Sequence, residues 1–244
     1  MRNIKIIVEY FGKGFNGWQK QPDKLNIQGE IERAIFEVTG ENVDLTASGR
    51  TDAGVHSLGQ TANFKMENPI PIQKIPLAIN SKLKKTIRVK SAEEVDDRFH
   101  ARYNCKGKKY RYVINNAPIE SALYRDYELH IANVLDVKKM QEAANFFVGK
   151  FDFSAFKSSG TSSKNSVREI YKAEVIKEGD RINIELTGSG FLYNMVRIIS
   201  GTLVDVGLGK LEPNDIPKII ESKDRDNAGK TLPPQGLYLV EVYY

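Results

Sequence analysis

The sequence has few of the residues from which metal and redox sites are built. Its single cysteine, Cys105, excludes an internal disulfide, and its histidines (His56, His100 and His130) lack the spacing of a zinc site. No apolar run is long enough for a membrane span, and the first residues pass directly into an alternating strand pattern without a signal peptide. We therefore expect a cytoplasmic protein without a structural metal.

Motifs for nucleotide cofactors are also missing. Residues 12–17 fit the glycine pattern of dinucleotide-binding proteins and follow a predicted strand. That pattern binds a pyrophosphate only when its last glycine opens a helix, whereas here Pro22 intervenes and the next helix starts near Ile27. A phosphate loop of the ATPase type is absent as well, so no cofactor is expected.

The elements that are present alternate between strands and helices. With 244 residues, 41% hydrophobic and 27% charged, the chain can form one large or two small packed domains. Hydrophobic periodicity predicts strands at residues 4–10, 62–66, 86–93, 108–115, 167–176, 181–187 and 236–244. It predicts helices at residues 27–38, 72–79, 191–206 and 213–221, and one that Asp136 caps and Gly149 ends. The pattern favours an α+β fold with mostly antiparallel strands and two halves, residues 1–115 and 116–244.

Positive charge is concentrated rather than spread. The net charge is +5, and one stretch combines basic and aromatic residues: Arg98, Phe99, Arg102, Tyr103, Lys106, Lys108, Lys109, Tyr110, Arg111 and Tyr112. Such a mixture offers phosphate neutralisation and stacking surfaces, which suits single-stranded or looped RNA. The alternative is an ordinary solvated strand face.

One carboxylate stands out in this basic chain. Asp52 lies between Gly49 and Gly54, whose backbone freedom lets a loop lift it clear of packed elements, and Arg50 favours its ionised form. An ionised, presented carboxylate serves as a nucleophile or a base. The alternative is that Asp52 only stabilises a turn.

Six motifs, in this order, resemble the tRNA pseudouridine synthase A family over essentially the whole chain. They are Tyr10-Phe11-Gly12 with Phe15-Asn16-Gly17-Trp18-Gln19, Gly49-Arg50-Thr51-Asp52-Ala53-Gly54-Val55-His56, Phe99-His100-Ala101-Arg102, Lys109-Tyr110-Arg111-Tyr112, Phe191-Leu192-Tyr193-Asn194-Met195-Val196-Arg197, and Pro233-Pro234-Gln235-Gly236-Leu237-Tyr238-Leu239. The resemblance implies conversion of uridine to pseudouridine at positions 38, 39 and/or 40 of the tRNA anticodon stem-loop. It further implies a pseudouridine synthase fold, two α/β halves joined through a mostly antiparallel mixed sheet with a central active-site cleft. It also implies a homodimer and neither cofactor nor metal.

The resemblance assigns roles to individual residues. Asp52 would attack the ribose anomeric carbon or remove its two-prime proton, alternatives that stay open, and Arg197 would pair with Asp52. Tyr110 would stack on the flipped base and take its proton, and Leu237 would pack on the other face. The remaining substrate-binding residues are Arg50, which would help extrude the base, and His100 and Arg102, which would lie at the edge of the RNA-binding surface.

Two other functions fit parts of this pattern. A non-catalytic RNA-binding module would use the same basic surface but gives no reason for a lone carboxylate. A sugar hydrolase would need a second acidic group, and the motif segments contain none in comparable context.

Overall fold

The computed structural model of this chain describes residues 1–160 and 165–244, which form mixed α/β structure with mostly antiparallel strands. In the first part of the chain the elements are β1 (Arg2–Tyr10), α1 (Ile27–Thr39), β2 (Thr46–Ala47), β3 (His56–Met66), α2 (Ile75–Asn80), β4 (Ile87–Val95) and β5 (Gly107–Asn115). They are followed by β6 (Leu129–His130), α3 (Val137–Asn145), β7 (Gly149–Asp152), β8 (Val167–Glu178), β9 (Arg181–Gly188), α4 (Met195–Gly207), α5 (Asp215–Ser222) and β10 (Leu237–Tyr243). The α+β class expected from the sequence is confirmed.

The chain divides into two compact units that differ from the expected halves. The first is Met1–Lys106 with Tyr238–Tyr244, and the second is Gly107–Leu237. Strand β5 thus belongs to the second unit, and the end of the chain returns to the first, where Tyr238 and Leu239 pair in parallel with His56 and Ser57 of β3. A strand pattern predicts that backbone groups need a partner, but it does not say which distant strand supplies one.

The first unit is a sheet with the strand order β4-β1-β3-β10, and β2 also pairs with β3. Ile4, Ile6 and Val8 alternate along β1 and are fully buried, in a core shared with Ile31 of α1. Helix α1 begins where the side chain of Asn26 accepts a hydrogen bond from Gly29 N, and it ends at Gly40 in the left-handed conformation. This core carries the loops on either side of β3.

The second unit is an antiparallel sheet with the strand order β5-β9-β8-β7, in which β6 pairs in parallel with β5. Tyr110, Tyr112 and Ile114 of β5 lie opposite Leu186, Ile184 and Ile182 of β9, and all of these side chains are buried. Helix α4 is buried over most of its length. The core therefore holds β5 and α4, which carry two of the motifs.

Most elements lie close to the expected bounds, with three corrections. Strand β3 was expected at residues 62–66 but begins at His56, because its pairing with β1 continues to Ser57 opposite Tyr10. Helix α4 was expected from residue 191 but begins at Met195, because Asn194 adopts a left-handed conformation with φ 60°. Helix α3 has the predicted cap, since Asp136 accepts a hydrogen bond from Lys139 N, but it ends at Asn145 rather than at Gly149. Gly149 instead begins β7 with φ 129°.

Candidate active site

The loop of residues 49–55 connects β2 to β3 in the first unit and positions Asp52. Its turn closes through a hydrogen bond from Val55 N to Asp52 O (3.2 Å), and Gly54 has φ 79°. The Asp52 side chain is half-buried and Arg50 is exposed. At the start of the loop, Gln60 Nε2 donates to Gly49 O (2.8 Å). The Asp52 carboxylate is therefore carried on a turn that hydrogen bonds to the backbone hold in place.

A second loop, residues 11–18, packs directly against this one. Trp18 N donates to Thr51 O (3.1 Å), and the hydroxyls of Tyr10 and Thr51 share a buried hydrogen bond (2.7 Å). A side-chain carbon on Gly12 would lie 2.0 Å from Val55 O, and one on Gly17 would lie 2.5 Å from Thr51 O. Gly12 and Gly17, two glycines of the dinucleotide-like pattern, thus allow the backbones of the two loops to approach each other closely.

His56 is a packing residue at the end of the loop. Its ring is 2% exposed and stacks on Phe11 and on Tyr238, with centroid distances of 4.9 and 4.8 Å. Its Nδ1 accepts a hydrogen bond from Gly12 N (3.0 Å). These contacts attach the glycine-rich loop and β10 to the strand that follows Asp52.

His100 and Arg102 lie in the first unit, in the turn between β4 and β5. Arg102 is exposed and His100 is half-buried. The expected basic and aromatic surface is only partly correct, because Tyr110 and Tyr112 are buried and only Tyr103 is largely exposed. The Tyr112 hydroxyl donates to Pro233 O (2.7 Å), and burial raises the pKa of Tyr112. Tyr112 is therefore a core residue.

In the second unit, Tyr110 occupies the middle of β5. It is 8% exposed and meets Phe191 edge to face, with ring centroids 5.2 Å apart. Leu237 is 5% exposed and begins β10, directly after Gly236, where a side-chain carbon would lie 2.7 Å from the Tyr112 ring. Both candidate base-contacting residues are thus held by close packing on β5.

Arg197 has a fixed orientation on α4. Its Nε donates to Leu232 O (2.6 Å) and its Nη1 donates to Asn194 Oδ1 (2.6 Å). Asn194 in turn donates from Nδ2 to Ser158 Oγ (2.9 Å). Asn194 was not predicted as a site residue. The signals that could have identified it are its tolerance of left-handed backbone and its spacing three residues before the arginine.

Glu185 is a second residue that the sequence analysis missed. It is 6% exposed on β9 and accepts hydrogen bonds from Arg111 Nε (2.7 Å) and from Lys109 Nζ (2.5 Å) of the neighbouring β5. Burial raises the pKa of this carboxyl, but the hydrogen bonds and charges of Lys109 and Arg111 outweigh burial and lower it overall. The two cations that flank Tyr110 are therefore held by one carboxylate.

We expect Glu185→Gln to lower the free energy of unfolding by about 1–3 kcal/mol at pH 7, because it leaves two partly buried cations without a counter-charge. The folded-state pKa of Glu185 is lowered, so its stabilisation is present above the ordinary glutamate pKa and is lost as the pH falls through the folded value. Chemical denaturation should show the difference between the proteins shrinking below about pH 4. Glu212→Gln, in an exposed ion pair with Lys139, is the control and should cost less than about 0.5 kcal/mol. A difference for Glu185→Gln that persists at low pH would contradict this account.

Within the described residues, no group of three or more histidine, cysteine, aspartate or glutamate side chains could hold a metal ion. Over the same residues, no helix is long and apolar enough to cross a membrane.

Comparison with known proteins identifies the class. The family model described as tRNA pseudouridine synthase matches residues 6–104 and 143–244, and the chain belongs to this family. It is an isomerase that converts uridine to pseudouridine in tRNA. Within the family, the chain is similar to the tRNA pseudouridine synthase A of Caldicellulosiruptor saccharolyticus (53% identical) and that of Acetivibrio thermocellus (52% identical), in each case over 100% of both chains. That of Thermoanaerobacter pseudethanolicus is 48% identical over the same extent.

Among solved structures, a chain of the Cbf5-Nop10-Gar1 complex matches with a TM-score of 0.36 and 14% identity, covering 82% of this chain and 54% of that one. A TM-score this low adds nothing about the fold or the function of this chain.

Proposed function

We propose that this isomerase acts on positions 38, 39 and/or 40 of the tRNA anticodon stem-loop and that Asp52 is its nucleophile or base. The observation that carries the proposal is the loop of residues 49–55, which holds the half-buried Asp52 on a turn closed by a backbone hydrogen bond from Val55 N to Asp52 O. The choice of positions rests on the resemblance to the synthase A family.

The reaction requires the target base to leave the stack, at a cost of a few kcal/mol. In one route the Asp52 carboxylate bonds to the anomeric carbon while the bond from that carbon to N1 breaks, and the released uracil then attacks through carbon five and displaces the carboxylate. In the other route Asp52 removes the two-prime proton while the bond to N1 breaks, which leaves a glycal. Carbon five of the uracil then bonds to the anomeric carbon while Asp52 returns the proton to the two-prime carbon. In both, the proton on carbon five moves to a base and N1 gains one, so atoms and charge balance without a cofactor.

Three further residues complete the proposal. Tyr110 stacks on the flipped base and accepts the proton from carbon five, and Leu237 packs against the base. Arg197 acts as the counter-charge to Asp52, a role supported by the two hydrogen bonds that fix its guanidinium group. Arg50, exposed two residues before Asp52, helps to extrude the base, and the His100 and Arg102 turn contacts RNA outside the reacting nucleotide.

The partner and location belong to the same proposal. The enzyme works in the cytoplasm as a homodimer that contacts one tRNA with both subunits, as the resemblance implies. Light scattering should give the mass of a dimer, and a monomer at micromolar concentration would contradict this part.

The proposal is tested by incubating the protein with unmodified tRNA transcripts that carry a single uridine at position 38, 39 or 40. We expect pseudouridine, detected by mass spectrometry of nuclease digests, at one or more of these positions. Transcripts with cytidine at all three positions are the control. Pseudouridine only elsewhere would refute the choice of positions, and its absence everywhere, with tRNA binding intact, would favour a binding module.

We expect Tyr110→Phe to lower kcat about 100-fold or more, because it removes the hydroxyl that accepts the proton from carbon five. The ring and its contact with Phe191 remain, so the Kd for tRNA should not change. Single-turnover kinetics separate the two quantities. Tyr171→Phe, on an exposed position of β8, is the control. An unchanged kcat in Tyr110→Phe would remove the hydroxyl from the mechanism.

Asn194→Gly tests whether the orientation of Arg197 matters. Glycine accepts the left-handed backbone at this position but cannot accept the hydrogen bond from Arg197 Nη1, so strain and hydrogen bonding are separated. We expect kcat to fall about 10-fold with little change in KM or melting temperature. Asn194→Asp keeps the oxygen acceptor and should retain most of the rate. Equal losses in both variants would contradict the orienting role.

A further inference from the structure

A turn remote from Asp52, residues 100–104, carries a pair of stacked rings on its surface. The rings of His100 and Tyr103 lie 4.1 Å apart between centroids, with an interplanar angle of 30°. Tyr103 is nevertheless 78% exposed, so one face of its ring rests on His100 and the other is open to solvent. The open face is available for stacking on another flat group, since aromatic rings pair in offset-stacked arrangements.

The turn that presents these rings is held by its own hydrogen bonds. His100 N donates to Asn104 Oδ1 (2.7 Å), and Asn104 N donates to His100 O (3.0 Å). His100 Nδ1 accepts from the backbone N–H groups of Arg102 and Tyr103 (3.2 Å each), which leaves the ring hydrogen on Nε2. The pair is therefore organised before any ligand arrives, and binding would freeze few side-chain rotamers.

Buried side chains attach the turn to the sheet of the first unit. Asn63 Oδ1 accepts from Ala101 N (2.8 Å), and the Tyr244 hydroxyl donates to Ala101 O (2.7 Å). Asn63 lies seven residues beyond His56 on β3, which at ~3.3 Å per residue is roughly 23 Å along the strand. The ring pair is thus too far from the Asp52 loop to contact the reacting uridine.

The charge around the turn favours a polyanion. Arg98 and Arg102 are exposed, and the segment from residue 98 to 106 contains no acidic residue. Three of the four carboxylates that precede it on and after β4 are paired with other cations: Glu93 with Lys5, Glu94 with Arg2, and Asp97 with Lys65. The fourth, Asp96, accepts a hydrogen bond from Arg98 N (2.8 Å) and offsets part of the charge of Arg98, Arg102 and Lys106. The turn therefore keeps a net positive charge, which favours phosphates as partners.

We propose that the His100–Tyr103 pair binds one unpaired nucleobase of tRNA other than the uridine that is isomerised. The base stacks on the open face of Tyr103, and Arg98 and Arg102 contact the adjoining phosphates. A paired base has both faces covered in the helix, so the site selects an unpaired nucleotide. The identity of the RNA rests on the proposed function, whereas the base-stacking geometry does not.

The test measures binding of an unmodified tRNA transcript to the full-length protein. Stacking on one aromatic side chain is worth about 1–3 kcal/mol, so Tyr103→Leu should weaken tRNA binding about 5- to 150-fold. Its salt dependence should be unchanged, because no charge is lost. Tyr103→Phe keeps the π face and should bind like the wild type. Arg102→Gln should weaken binding and lower the salt slope by about one.

A second measurement locates the base. A photoreactive benzoylphenylalanine at position 103 should crosslink to an unpaired nucleotide that is not the modified uridine. Because Tyr103 is exposed, the Tyr103→Leu and Tyr103→Phe variants should melt like the wild type. Equal binding by Tyr103→Leu and the wild type would overturn the proposal, as would a crosslink to the target uridine or to a helical stem. Measuring binding in an Asp52→Asn background separates failure here from failure of the proposed chemistry.

Discussion

Asp52→Asn should abolish pseudouridine formation while the protein still binds tRNA. The amide has nearly the shape of the carboxylate but cannot bond to the anomeric carbon or accept the two-prime proton. We expect kcat to fall by at least about 1,000-fold, the scale on which enzymes lose rate with their nucleophile or base. We expect the turn to survive, because the hydrogen bond from Val55 N to the Asp52 backbone oxygen does not depend on the side chain that is changed.

Single-turnover assays with radiolabelled tRNA measure this loss, and filter binding measures the Kd in parallel. Removing one negative charge should leave tRNA binding unchanged or slightly tighter. Asp44→Asn, an exposed aspartate of the same unit, is the matched control and should keep full activity. Pseudouridine formed by Asp52→Asn at the wild-type rate would remove Asp52 from the mechanism.

Gly12→Ala should have the second-largest effect, although residue 12 touches no substrate in the proposed mechanism. Its new methyl group would lie 2.0 Å from Val55 O and 2.5 Å from Val55 C, so one of the two backbones has to move by more than 1 Å. We expect a loss of about 3 kcal/mol in the free energy of unfolding. We also expect about 100-fold lower kcat, because the displaced residues belong to the Asp52 turn.

Gly14→Ala separates crowding from backbone strain. Gly14 has φ 85°, but a side-chain carbon there would meet nothing within 4 Å. Its replacement should cost about 1–2 kcal/mol of stability and leave kcat intact. Thermal melts and kinetics of the two variants give the comparison. Equal damage from both substitutions, or none from Gly12→Ala, would show that the close approach of the two loops does not position Asp52.

Local patterns predicted most of the secondary structure because the signals are short-range. The period of buried residues marks α1, the Asp136 side chain caps α3, and Gly179 and Asp180 connect the β8–β9 hairpin within the expected turn. Some of the errors occurred where one residue's backbone conformation decides the outcome. Asn194 is left-handed and delays the start of α4, which a hydrophobic period does not show.

For a similar reason, the sequence indicated some residues of the candidate site and missed others. Asp52, Tyr110 and Arg197 stand in motifs that can be read along the chain, and their proposed roles await the experiments described above. Asn194 and Glu185 carry no such signal, because their importance comes from partners on other elements: Arg197 and Ser158 for one, Lys109 and Arg111 for the other. Contacts of this kind arise only after the sheet and helices have packed.

The sequence alone therefore determined the α+β class and the family resemblance, and it led to the proposal that Asp52 carries the chemistry, because composition, periodicity and short motifs are local properties. Tertiary structure decided which aromatic residues are buried and how Arg197 is oriented. It also explains the glycines of the loop before Trp18, because two of them lie against the backbone of the Asp52 loop. It also showed that the last strand pairs with β3 and that only Tyr103 of the basic and aromatic segment offers an open ring face. These features depend on which distant backbones and side chains come into contact, and burial and hydrogen bonding establish that only in the folded chain.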